Sequence, residues 1–542
     1  MKMKKRIALA LLLVYLVSMF AGCGTTPNVS EDPSTPKVDV PVAEAGEVSL
    51  PLVDELTTLT IWGKPNTAFF NLIGNDYNES EFFKELEKRT NVHIEWIVPA
   101  AGSERDQLNL LIASGELPDI IYQTPDANVQ YSTGLDAAVD DGYFLDLTDL
   151  LPLYAPNYLA AVEAGGPKVQ KGVMTDKGRY VIMPSIQAEE QPPFMGYMVR
   201  QDWLNDLGLE MPETYSDWEI MLTKFKEEKG AIAPLAMIEN EIWALGAGMD
   251  AYGSNFYQID GTVYYGLYNN PEENKAYLTM LNDWYTKGLI DPDFASSTSW
   301  LSGETVMVTT GKTGVFQAMY VQPAAEFLPS MEEGAALAAI NPPVAEEGQE
   351  LKYRQENQYM ASGYCISADS KNAELAIRWL DYLYSEEGWL FCNYGIEGVS
   401  YTLDENGNPQ YTDLILNNPD GLTPGNAVYN YCMPAGSPAY QSDWRVEKQY
   451  TPAESVAFME VWNEVSDEYF IPMYVSMSAE ENTEYSTLYT DIQSFVNENV
   501  LQFITGEKSL DEYDEFIATL GEMNIERCIE LKQAALTRYL ER

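Results

Sequence analysis

The stretch LNLLIASGELPDIIYQ (Leu108–Gln123) constrains the fold of this chain more than any other. Leu108, Leu111 and Ile112 stand at i, i+3 and i+4 and share one helical face. Gly115 follows the last apolar residue of that face, where a left-handed helix terminus favours the residue that has no Cβ. Pro118 fixes the chain for re-entry. Asp119-Ile120-Ile121-Tyr122 is short, β-branched and aromatic, as a covered strand should be. Such a strand delivers its carboxyl end, Tyr122-Gln123-Thr124, to the rim of an open α/β sheet, where ligands usually bind.

The preceding residues follow the same pattern. Leu56–Trp62 alternates and predicts a first strand, and Asn78-Glu79-Ser80-Glu81 reads as a capping box. That box opens a helix whose apolar face is Phe82, Phe83 and Leu86, and Val92, Ile94 and Trp96 then alternate as a second strand. Strand, helix, strand, helix, strand predicts a mostly parallel, doubly wound sheet. A chain of 542 residues exceeds one ordinary core, so two or more lobes are expected. Further along, Pro212-Glu213-Thr214 opens a helix, Gly314–Tyr320 reads as a strand, and Ile525, Cys528, Ile529 and Leu536 mark a final helix packed back on the body.

Met1–Cys23 reads as a targeting segment. Lys2, Lys4, Lys5 and Arg6 precede an apolar run that ends Phe20-Ala21-Gly22-Cys23, which resembles the lipobox of bacterial lipoproteins. The expected cut leaves Cys23 as a lipidated N-terminus, with residues 1–22 removed. Residues 23–50, rich in Pro, Ser, Thr and Glu and without an aromatic residue, read as a flexible tether. Such a tether spans on the order of 30 Å and holds a body, residues 51–542, just off a membrane.

The formal charge of −51 argues against nucleic-acid binding, because a phosphate backbone is repelled. A single histidine, His93, removes most histidine-based catalytic and metal-hydrolase schemes. It lies on the outer face of its strand and is expected to be a surface or hydrogen-bonded residue. Thr309-Thr310-Gly311-Lys312-Thr313 ends like a phosphate loop, but Val306 stands where the first glycine belongs. No nucleophile elbow occurs. With 83 acidic residues a glycosidase pair is available, but nothing singles one out. Asn406-Gly407 between Tyr401 and Tyr411 predicts a hairpin rather than a calcium loop. Apart from Cys23, Cys365, Cys392, Cys432 and Cys528 allow three pairings or four free thiols, and free thiols are expected.

Several segments in order carry a resemblance. They are GELPDIIY (Gly115–Tyr122), YFLDLTDLLPLYAPNY (Tyr143–Tyr158), GRYVIMP (Gly178–Pro184) and RQDWLNDLGLEMPETYSDWE (Arg200–Glu219). DWYTKGLIDPDF (Asp283–Phe294), YCISADSKNAELAIRWLDYLYSEEG (Tyr364–Gly388) and FITGEKSLDEYDEFIATL (Phe503–Leu520) follow. Together they resemble the family-1 extracellular solute-binding proteins of ABC transporters, including LipO-type lipoproteins of Gram-positive bacteria and the maltodextrin- and alginate-oligosaccharide-binding proteins. The resemblance implies a two-lobed periplasmic-binding-protein-like α/β fold of type II, each lobe a mostly parallel sheet flanked by helices, with the ligand cleft between them. It implies discontinuous lobes: approximately 51–185 with part of 310–390, and approximately 190–305 with part of 390–500, with helices at 491–542 packing back. It further implies a lipid-anchored, extracellular monomer that is not an enzyme and that presents a solute, expected to be an oligosaccharide, to ABC permease subunits. A peptide or another non-sugar solute, or a secreted glycosidase, is the alternative.

Sugars stack their C–H faces on aromatic rings; the chain has 36 tyrosines and 11 tryptophans. Strand-end position selects Trp62, Tyr122, Gln123 and Tyr320 as ligand-binding candidates. Trp243, and Tyr394 with Glu397, are added because they resemble places where family members meet ligand. Related oligosaccharide-binding proteins hold calcium on a D-x-D/N-G loop. The local equivalent, Asp176-Lys177-Gly178, is shortened, so no cofactor is expected, with calcium as the alternative.

Overall fold

In the computed structural model the described residues are 44–542, apart from 125–130, 132, 298, 300, 355–357 and 435–438. The leader, Cys23 and most of the tether lie outside them. Residues 44–50, read as the end of the tether, are part of the body. The Gly46 amide donates to Asn157 Oδ1 at 2.9 Å, and Val48 and Leu50 pack on the first core.

The strands are, in chain order, β1 (Thr57–Trp62), β2 (Val92–Ile97), β3 (Ile120–Gln123), β4 (Ile182–Gln191), β5 (Met195–Arg200), β6 (Ala233–Leu235) and β7 (Phe256–Ile259). They continue with β8 (Thr262–Tyr265), β9 (Thr313–Met319), β10 (Leu337–Ile340), β11 (Gln358–Ile366), β12 (Tyr401–Leu403), β13 (Pro409–Tyr411) and β14 (Gln441–Ser442). Two sheets organise the body. The first runs β14-β4-β11-β3-β1-β2, and the second runs β10-β5-β9-β6. β2, β1 and β3 are parallel, as their βαβ spacing dictates. Both sheets also carry antiparallel pairs: β11 is antiparallel to β3 and β4, and β5 is antiparallel to β9 and β10. The reason is connectivity. β11 follows a long excursion through the second sheet, so it enters without the helical crossover that enforces parallel pairing.

Each sheet has its own core. Leu59, Ile61, Ile121, Trp379 and Phe391 belong to the first, and Trp218, Phe225, Trp284, Phe503 and Phe516 to the second. All ten are buried, each contributing about 2 kcal/mol relative to exposure. The chain passes between the cores after β4, after β10, and between β14 and the Ala453–Trp462 helix, whose Trp462 lies over Gly196 of β5. The sheets show which parts of the shared ranges fall to each core. β9 and β10 lie in the second sheet, whereas Phe391, Cys392, Met433 and Ala439 lie in the first core.

The opening stretch folds as its sequence dictates. The Glu104–Ser114 helix ends on Gly115 at φ +69°, and every position of β3 is buried. Asp119, at the start of β3, acts as a clasp. Its Oδ2 accepts from the Thr60 amide and hydroxyl, both at 2.9 Å, and its Oδ1 accepts from the Ser370 hydroxyl at 2.6 Å. The helix start nearby is shifted: Asp76 caps a short 3₁₀ turn, Tyr77–Glu79, and Ser80, not Asn78, caps the Glu81–Thr90 helix. The Asn406-Gly407 hairpin forms, with Asp404 Oδ1 accepting from the Asn406 and Asn408 amides at 2.8 Å. His93 Nδ1 is hydrogen-bonded to Glu87 Oε2 at 2.6 Å. Cys365, Cys392, Cys432 and Cys528 are free and buried.

Candidate functional site

A cavity of about 900 Å³ opens where the two cores face each other. The first lobe supplies Thr124 beyond β3, the start of the Leu135–Asp140 helix, and residues 172–177 at and beyond the end of the Gly166–Val173 helix. The second supplies residues 473–486, including the first turns of the Ala479–Thr505 helix, and one side of the Ile525–Glu541 helix. A shallower recess of about 570 Å³ adjoins it through Thr133, Ala479 and Glu480.

The lining mixes hydroxyl and amide groups with aromatic faces. Thr133, Thr175, Ser486 and Asn482 stand among Tyr474, Tyr485 and Met473. Hydroxyl-bearing solutes need this combination, since each buried polar group must find a partner while the apolar faces exclude water.

An ion network that joins the lobes lines part of the cavity. Asp176 accepts from Arg538 Nε at 2.9 Å and pairs with Arg542. Arg538 also grips Glu481, its Nη1 at 2.9 Å from Oε1. Glu481 in turn caps its own helix by accepting from the Ser478 amide at 2.8 Å. Burial opposes ionisation of Glu481, but the hydrogen bonds from Arg538 and Ser478 hold its carboxyl below the usual range. Arg542 further donates to the Met174 carbonyl at 2.7 Å, and Lys171 donates to the Leu540 carbonyl at 2.7 Å. On the first-lobe wall, Lys177 and Arg179 reach Asp140 at 2.5 and 2.8 Å and lower its pKa.

The residues expected from the sequence lie elsewhere, and none of the seven lines this cavity. Trp62 and Tyr122 are each 1% exposed and fill the first core, because β1 and β3 are covered on both faces to their ends. Tyr122 donates to the Ser362 hydroxyl at 2.6 Å. The Gln123 side-chain amide binds nearby backbone: it donates to the Tyr122 carbonyl at 2.7 Å and accepts from the Tyr131 amide at 2.9 Å. Trp243 is half-buried against Tyr277, ring centroids 5.7 Å apart, over Gly253, where any Cβ would strike its indole. Tyr320 is buried and its hydroxyl donates to the Glu447 carboxylate. Tyr394 belongs to a satellite cluster with Tyr401 and Tyr411, and Glu397 is exposed.

The lining the sequence reading missed comes from segments far apart in the chain. One local signal was available. Lys532 stands between Cys528 and Leu536, four residues from each, on the otherwise apolar face of the last helix.

A family model described as bacterial extracellular solute-binding protein matches residues 74–388. Among curated proteins, the fructooligosaccharide ABC transporter substrate-binding protein FusA of Streptococcus pneumoniae serotype 4 is 24% identical over 575 residues, covering 99% of each chain. Lipoprotein LipO of Bacillus subtilis is 26% identical over 399 residues, 69% of this chain and 73% of its own. Among solved structures, the alginate-binding protein AlgQ2 without calcium ion matches with a TM-score of 0.69 at 22% identity, covering 90% of this chain and 99% of that one. That likeness shows a shared bilobed α/β fold.

Proposed function

Because the chain belongs to the bacterial extracellular solute-binding proteins, we propose that it holds an oligosaccharide in the inter-lobe cavity and delivers it to the permease of an ABC transporter. The protein binds its solute and does not transform it, so the glycosidase alternative falls away. In this reading it works as a monomer on the outer face of the membrane, held by a lipid on Cys23. Two features support the anchor: the lipobox-like Phe20–Cys23 and the similarity to a lipoprotein.

The observation that carries the proposal is the cavity itself. Its volume of about 900 Å³ falls within the ~300–1,000 Å³ of small-molecule sites, and both lobes line it. The names of the relatives agree, one binding fructooligosaccharide and another alginate. The three passages of the chain between the lobes form the hinge, and closure buries the sugar among hydroxyl, amide and aromatic groups. Intrinsic tryptophan fluorescence across a panel of oligosaccharides tests the reading. A saturable change with at least one glycan is expected; a folded protein silent to all of them contradicts it.

Among the described residues no group of three or more His, Cys, Asp or Glu side chains converges on a metal position. The donor set near the shortened loop does not fit a divalent cation. Asp176 is held by Arg538 and Arg542, while Arg179 faces Asp136 and Asp140 and Lys177 holds Asp140. We therefore propose that protein cations supply at this loop the charge that calcium supplies in related binders. The melting temperature is expected to be the same in excess calcium and in excess chelator; a rise of several degrees with calcium contradicts this.

A further inference from the structure

Four basic side chains line the cavity: Lys177, Lys532, Arg538 and Arg542. Three of them are neutralised by the fold, Lys177 by Asp140, Arg538 by Asp176 and Glu481, and Arg542 by Asp176. Lys532 is not. Among the described residues it has no hydrogen-bond acceptor and no carboxylate. Its ammonium instead lies over two rings, 4.9 Å from the centroid of Tyr485 and 5.6 Å from that of Phe256.

This placement is specific. The chain has 83 acidic residues against 32 basic ones, so carboxylates are plentiful, yet among the described residues none is set against this ammonium. The nearest turns of the neighbouring helix show the contrast, because Glu481 is committed to Arg538 and Glu484 to Arg527. Burial lowers the pKa of Lys532, as expected of an ammonium taken from water without an anion. The two rings provide cation–π attraction but no hydrogen-bond acceptor.

We propose that Lys532 is a subsite for a carboxylate on the bound saccharide, so that the solute is an acidic, uronate-bearing oligosaccharide. The inference rests on the reading of the cavity as the saccharide site and goes beyond it by naming the charge class of the ligand. A neutral hydroxyl satisfies the N–H groups of Lys532 and leaves its charge uncompensated, whereas a carboxylate does both in one contact. The ring of Tyr485, which also lines the cavity, offers an adjoining face for the sugar. The negative charge of the whole chain opposes any anion, but for a short oligosaccharide the opposition is weak. At physiological salt its field decays over about 8 Å, so the contact ammonium decides binding within the cavity.

The test is equilibrium titration of the mature chain with matched pairs of oligosaccharides. Galacturonate, glucuronate and mannuronate oligomers are each compared with their carboxyl-reduced neutral forms. In the wild type at least one uronate oligomer is expected to bind roughly tenfold to a hundredfold tighter than its reduced partner, the range of one charge-assisted hydrogen bond. Lys532→Met is expected to abolish that gap, and Lys532→Arg to keep it. Wild-type protein that binds neutral forms as well as or better than uronates overturns the proposal without any variant. A uronate preference that persists in a folded Lys532→Met protein overturns it as well. If the neutral forms bind and the uronates do not, the carbohydrate reading stands and this inference falls. If no saccharide of either kind binds, both fall.

Discussion

Glu241 is a carboxyl group in a place that suits its protonated form. It is 4% exposed in the second lobe; its Oε1 accepts from the Ser302 amide at 2.9 Å, and its Oε2 has no partner among the described residues. Burial raises its pKa to about 7, against the weaker lowering effect of Ser302. The folded state therefore binds this proton more tightly than the unfolded chain. The stabilisation is fully present below about pH 4.5 and is lost as pH rises through about 7. Glu241→Gln removes the titration. At pH 8 the variant is expected to be more stable than the wild type by on the order of 3 kcal/mol, and at pH 4.5 the two converge. Urea unfolding at the two pH values measures this, and a difference that grows toward acid contradicts the sign. The cysteines give a second prediction at this scale. Burial pushes the Cys432 thiol up to about 12 and Cys528 up to about 11, and also raises Cys365 and Cys392 well above the usual thiol range. All four thiols are expected to resist a disulfide reagent at pH 8 in the native protein and to react together on unfolding. Rapid reaction of any one in the native state contradicts the burial.

Asp119 shows what an element needs beyond its own propensity. Ile120, Ile121 and Tyr122 specify a buried strand, but the carboxylate before them ties that strand to β1 through Thr60 and to the loop after β11 through Ser370. Asp119→Ala leaves those groups without their acceptor and is expected to cost about 3 kcal/mol of unfolding free energy. Gly115→Ala, which meets only open space but keeps φ +69°, is expected to cost about 1 kcal/mol. Chemical denaturation ranks the two; equal costs contradict the clasp. The contrast also marks what the sequence made legible. Gly115 was readable as a helix stop because its cause lies within one turn. The partners of Asp119 lie 59 and 251 residues away, and nothing local points to them. The same limit governs the site. Trp62 ends β1 and Tyr122 stands one residue before the end of β3, but both are buried as thoroughly as the middles of their strands. Residues 133–140, 172–177 and 473–486 meet the last helix only through the tertiary fold.

The body is built on two large mixed sheets, each with its own core, joined by three passages of chain and braced by the contact of Asp176 with Arg538 and Arg542. Alternation of strand and helix announced α/β architecture, and the order of family segments announced two lobes. The antiparallel entry of β11 and the assignment of β9 and β10 to the second sheet followed from connectivity that local patterns do not encode. The central claim is that an oligosaccharide occupies the cavity between those lobes. Isothermal titration calorimetry on the mature chain and on Ala137→Trp, which places an indole in the cavity wall, tests it most directly. The expected result is one site per chain for at least one oligosaccharide, weakened at least roughly a hundredfold in a folded Ala137→Trp protein. Undiminished binding in that variant, or no binding of any oligosaccharide to the wild type, contradicts the account.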